Sequence, residues 1–115
     1  MNHRYHLSRL ATGACLLGIA FGLVGCNRIT GHQVVQNRVV VAGGAVENVR
    51  VDCPSGKKVL GGGFSIETPD DLRVFASEPS DGKGNQVDNG WTVMVGNSGS
   101  QGRQTTAYAI CADAR

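Results

Sequence analysis

Arg103-Gln104-Thr105-Thr106-Ala107-Tyr108-Ala109-Ile110-Cys111-Ala112 decides the fold. Side chains alternate across a strand with a period of two, so Thr105, Ala107, Ala109 and Cys111 share one face while Thr106, Tyr108 and Ile110 share the other. Both faces are apolar enough to be covered, which predicts an interior strand. The small residues on the first face leave room for a large ring, and Trp91 is the one tryptophan of the chain.

Working back from this strand, the same period recurs. Trp91, Val93 and Val95 alternate against Thr92, Met94 and Gly96, and Asn97-Ser98-Gly99-Ser100 is a turn by composition. Leu72, Val74 and Ala76 alternate against Arg73, Phe75 and Ser77. In Ala45 to Cys53, Val49, Val51 and Cys53 fall opposite Arg50 and Asp52. Val34 to Ala42 is rich in β-branched residues and stops at Gly43-Gly44. Lys57 to Phe64 reads as a strand interrupted by Gly61-Gly62-Gly63, a run that costs backbone entropy and packs no side chain. Such a run predicts a bulge, or the close approach of another backbone or of the Trp91 ring. A phosphate cradle would need a helix to follow, and no helical period follows Phe64. The expectation is an all-β domain over residues 34–115, a small antiparallel sandwich or barrel of about six to seven strands.

The N-terminal part is of another kind. Arg4 and Arg9 precede the apolar run Leu10 to Val24 with no acidic residue among them, the pattern of a secretion signal. As a helix that run rises about 22 Å, short of a hydrocarbon core of roughly 30 Å. Leu23-Val24-Gly25-Cys26 then resembles the lipobox of bacterial lipoproteins: a branched apolar residue three before the cysteine, a tolerated second position and a small residue. The resemblance implies removal of residues 1–25 and a diacylglyceryl thioether on Cys26. Residues 26–33 then form the lipidated cysteine and a short tether. The partner so implied is the membrane itself, reached through the Cys26 lipid, because a single chain holds only marginally and two or three hold durably. Asn27 stands where an Asp would resemble an inner-membrane retention signal, so the outer membrane of the cell envelope is the better expectation.

Processing alters two balances. The chain has 11 Lys/Arg against 9 Asp/Glu, and the excess of 2 is Arg4 and Arg9, both within the signal. A neutral remainder with interspersed charges excludes nucleic acid, whose phosphates need a basic face. Of the 4 cysteines, Cys15 leaves with the signal and Cys26 takes lipid, so Cys53 and Cys111 are expected to pair in an oxidising compartment. A metal site lacks further ligands, since His32 is the one histidine after the signal.

Glu78 to Gly90 is the longest loop, with Pro79 and three glycines. Its core, Asp81 to Gly90, resembles a calcium loop in composition but fails its spacing. Lys83 stands at the third ligand position, Gln86 at the required glycine and Thr92 at the bidentate glutamate. No cofactor is expected. Long loops on rigid scaffolds carry binding groups, which makes Asp81, Lys83, Asn85, Asp88 and Asn89 the candidate partner-binding residues.

Cys53-Pro54-Ser55-Gly56-Lys57-Lys58-Val59-Leu60-Gly61-Gly62-Gly63-Phe64, with Trp91-Thr92-Val93, Asn97 and the terminal Tyr108-Ala109-Ile110-Cys111-Ala112, resembles a small β domain of secreted bacterial proteins. That resemblance implies a compact β fold with a Cys53–Cys111 bridge and brings no activity. A hydrolase would need a nucleophile, a base and an orienting group, and no histidine lies within the β domain. The expected role is therefore non-catalytic: binding an envelope protein or a glycan. The alternative is an inhibitor of a secreted hydrolase such as lysozyme, although the Ser-Gly-x-x-Tyr type of loop of known lipoprotein inhibitors is not matched by Ser98-Gly99-Ser100-Gln101-Gly102.

Overall fold

Each run of alternating residues becomes a strand in the computed structural model, which describes residues 28–114. The strands are β1 (Ile29–Val41), β2 (Val46–Asp52), β3 (Lys58–Ile66), β4 (Leu72–Glu78), β5 (Gly90–Asn97) and β6 (Arg103–Ala114). They form two 3-stranded antiparallel sheets, ordered β1-β6-β3 and β2-β5-β4. The sheets pack face to face as a sandwich. Four of the five connections cross from one sheet to the other, and β4–β5 is the one hairpin within a sheet.

The apolar faces predicted from the period meet in the middle. Val49, Val51, Val93, Val95, Ala107, Ala109 and Cys111 are buried, with Val41 and Leu72 completing the core. The strand that decided the fold, β6, is interior to its sheet, between β1 and β3; its Thr105–Cys111 face is buried in the core while Ile110 on the other face stays exposed.

Gly62 fulfils the expectation raised by the glycine run. A methyl group there would stand 2.5 Å from the Tyr108 carbonyl oxygen and run into the Trp91 indole, so only glycine lets the ring lie flat on β3. The indole N–H, at the far end of the ring, donates to Ser77 Oγ at 2.9 Å. The run also holds a bulge, because the β3–β6 register shifts between Val59 and Gly61.

Cys53 and Cys111 are joined, with Cα atoms 5.7 Å apart across a sequence separation of 58. The bridge ties the end of β2 to the central strand of the other sheet.

Two expectations change. Ile29 and Thr30 pair with Ala114 and Asp113, so β1 takes in residues read as tether and only residues 26–28 remain before the first strand. Edge pairing decided this: the polar stretch sets up no period of its own, but β6 extends far enough to hold it. In β4 the register shifts between Val74 and Ala76. Phe75 keeps the outer face that the alternation gave it, but the bulge turns Ala76 to the outer face and Ser77 to the inner one, against the simple alternation. The count of strands is 6, within the expected six to seven. The lipobox and Cys26 lie outside the described residues.

Candidate functional site

The expected binding loop is built mostly for its own support. Asp81 Oδ1 accepts from the backbone N–H groups of Lys83 at 2.7 Å and Asn85 at 3.1 Å, and Oδ2 accepts from Asn85 Nδ2 at 2.8 Å. These bonds hold the Asp81 carboxyl at about 2, down from the ordinary 3.8. The Asn85 side chain contributes most and the Lys83 backbone next, against a smaller opposing effect of desolvation. Gly82 and Gly84 take positive φ (74° and 95°) to let the chain wrap the carboxylate.

The loop is then laid on the outer face of β2-β5-β4. Asn48 Nδ2 donates to the Gly82 carbonyl at 2.9 Å, Thr92 Oγ1 to the Ser80 carbonyl at 2.7 Å, and the Arg50 guanidinium to that same carbonyl. Asp88 pairs with Lys58 at 2.6 Å, which lowers its carboxyl, first through the hydrogen bond and also by charge attraction. The Asp88 and Asn89 carbonyls accept from the Val59 and Cys53 backbone N–H groups at 2.7 and 2.8 Å. The side chains of Asp81, Asn85 and Asp88 are thus engaged within the domain, and Asn89 is held through its backbone carbonyl. The side chains of Lys83 and Asn89, both exposed residues, make no hydrogen bond or ion pair among the described residues.

The feature that sequence reasoning missed lies at the other end of the same sheet. Gly96 faces outward on β5, with Val46 opposite it on β2 and Phe75 from the β4 bulge beside it. A Cβ on Gly96 would come 2.7 Å from Phe75 Cε2 and 3.5 Å from Val46 Cγ2, so the glycine is the floor between two apolar walls. Phe75 is 58% exposed and Val46 62%. Pro69, Asp70 and Arg73 complete the rim of a cleft of about 360 Å³. Alternation had set Phe75 and Gly96 on outward faces, but only the pairing of β2, β5 and β4 brings them together with Val46, and pairing is not carried by a single strand's sequence.

The cleft stands on a braced end of the sandwich. Asn97, buried at the end of β5, donates from Nδ2 to the Val41 carbonyl at 2.9 Å and the Gln101 carbonyl at 2.7 Å, and its Oδ1 accepts from Gly99 N–H at 2.9 Å. One side chain so joins the β1–β2 and β5–β6 turns. Asp71 binds Arg103 Nε at 3.0 Å and its carbonyl accepts from Ser98 N–H at 2.9 Å, fixing the β3–β4 turn to the same cluster.

No family model, curated protein or solved structure matches the chain. The reading of this surface therefore rests on its geometry. Among the described residues no three His, Cys, Asp or Glu side chains converge as a metal site would require. An apolar concavity with a charged rim on a rigid support can take an apolar side chain of a partner, with Asp70 and Arg73 placed to contact charges around it.

Proposed function

We propose that the protein is a non-catalytic lipoprotein of the bacterial envelope. It is held by lipid on Cys26 and binds a protein partner through the Val46–Gly96–Phe75 cleft. The observation that supports this reading is the polarity of the sandwich. β1 enters from Cys26 at one end, and that end also carries the starts of β3 and β5, the ends of β2, β4 and β6, and the 79–89 loop. The cleft is at the opposite end, beside the 42–45 and 67–71 turns. An anchor at Cys26 turns the cleft away from the bilayer, where a partner can reach it.

The chemistry favours a protein over a sugar. The walls are one phenyl ring and one valine rather than the broad aromatic platforms with polar handles that suit amphipathic ligands. Intact-mass analysis of the membrane fraction tests the anchor: lipid mass on Cys26 supports it, and an unlipidated, unprocessed chain removes it. A photo-crosslinking residue at Val46 in the full-length protein tests the cleft. A discrete protein adduct from position 46 that disappears on Phe75→Ser, with the fold retained, supports the reading. Absence of an adduct, with binding instead to purified peptidoglycan fragments or inhibition of lysozyme, would transfer the role to a glycan or a hydrolase.

A further inference from the structure

The outer face of sheet β1-β6-β3 changes character along its length. Toward the Cys26 end, Val34 of β1 lies opposite Ile110 of β6, which in turn lies opposite the β3 bulge carrying Leu60 and Gly61. These three aliphatic side chains form one row across all three strands and are 66%, 42% and 45% exposed. Ile29, 48% exposed and paired with Ala114, is on the same face by register and still nearer the anchor. Toward the far end the same face becomes polar, with Arg38, Ser65, Glu67, Gln104, Thr106 and Tyr108 around a shallow depression. Val40, also exposed there, leans over Gly102.

We infer that this apolar half-face rests on the surface of the bilayer that holds the anchor, so that the sandwich lies against the membrane on sheet β1-β6-β3. The inference rests on the lipid reading of Cys26. Ile29 is three residue steps from Cys26, a reach of at most about 10 Å, while the headgroup layer of one leaflet is roughly 5–7 Å thick. Ile29 is therefore held within a few ångströms of the headgroups, where a row of aliphatic side chains loses contact with water by tilting downward. The other outer face cannot serve at this end, because the 80–87 loop is bonded across Asn48, Arg50 and Thr92. A second copy of the chain is the weaker occupant: four half-exposed aliphatic residues fall well short of the roughly 800 Å² per partner of a stable pair.

The test uses the full-length lipidated protein in vesicles of phosphatidylethanolamine and phosphatidylglycerol whose acyl chains are brominated near the glycerol. Ile110→Trp and, separately, Val34→Trp add a reporter to the apolar row, Val46→Trp adds one to the opposite face, and Trp91 gives a common background. The row reporters are expected to lose most of their added emission in brominated vesicles while the Val46 reporter keeps its own. Equal emission from both faces, with lipid on Cys26 verified by mass, overturns the inference and leaves the anchor standing. Absence of lipid on Cys26 with the protein left in the aqueous phase overturns the anchor itself. Concentration-dependent cross-linking between row positions of two copies, without quenching, assigns the row to a dimer and also overturns the inference. Unchanged thermal melting of each variant establishes that the comparison is between folded proteins, and the two row positions guard against loss of either one.

Discussion

Gly62 and Gly96 each carry an aromatic ring, and the difference between them separates a structural glycine from a functional one. At Gly62, itself exposed on the edge strand β3, an added methyl meets both the Trp91 indole and the Tyr108 backbone of the central strand, and that backbone cannot withdraw. Gly62→Ala is expected to cost about 1–3 kcal/mol through overpacking, read as a lower denaturant midpoint. At Gly96 the methyl meets the outer edge of an exposed phenyl ring that can swing into solvent, so Gly96→Ala should keep the fold and disturb the cleft. Asp81 acts at the same scale through its charge. Its carboxyl is lowered to about 2, so the folded form gains stability that is complete above the unfolded value near 3.8 and is lost as pH falls through about 2. A carboxyl-carbon NMR titration of Asp81 should show a midpoint near 2, with the Lys83 and Asn85 amides shifting in parallel; a midpoint near 3.8 would mean the carboxylate is not held by these bonds.

Between elements, two links do most to keep the sheets in place. The Cys53–Cys111 bridge spans a sequence separation of 58, and the chain-entropy relation makes that worth about 4 kcal/mol. Replacing both cysteines by alanine should lower stability by about that amount in equilibrium unfolding, and a change below 1 kcal/mol would show that the unfolded chain is already constrained. At the other end Asn97 donates to two carbonyls from different turns. Asn97→Asp keeps the shape but sets an oxygen against both carbonyls. It is expected to lose about 2–3 kcal/mol through unpaired buried groups, with the largest gain in amide exchange at the 42–45 and 98–102 turns. Asn37 adds a smaller seam, donating from β1 to the Arg50 carbonyl of β2 at 2.8 Å.

At the scale of the molecule, the two ends of the sandwich differ. The end from which β1 enters holds the disulfide, the apolar row and the self-braced 79–89 loop, whereas the far end holds the cleft. With the proposed lipid on Cys26, Lys83 is expected near the headgroups, and an amine-reactive probe should label it more slowly in the vesicle-bound protein than in the detergent-solubilised form. Equal rates would place the loop clear of the membrane. This division also shows how much of the site could be read in advance. The loop residues Asp81 to Asn89 attracted attention because glycines and carboxylates are conspicuous in a sequence. Their hydrogen bonds to one another, and to Asn48, Arg50 and Thr92, depend on which strands lie beneath them.

Period and composition alone determined the strand runs and the interior place of Arg103–Ala112, and they marked the glycine run as a place for a bulge or a close approach. These follow from side-chain alternation and steric volume, which are local properties of the chain, whereas the pairing of the two domain cysteines was expected from the signal resemblance that set the other two aside. Tertiary structure decided the rest. It drew Ile29–Gln33 into β1, exchanged the faces of Ala76 and Ser77, made a cleft floor of Gly96 and set that cleft at the end opposite the start of β1. Register, bulges and the crossing of connections between sheets arise only when strands compete for partners, and that competition is not local to any stretch of the chain.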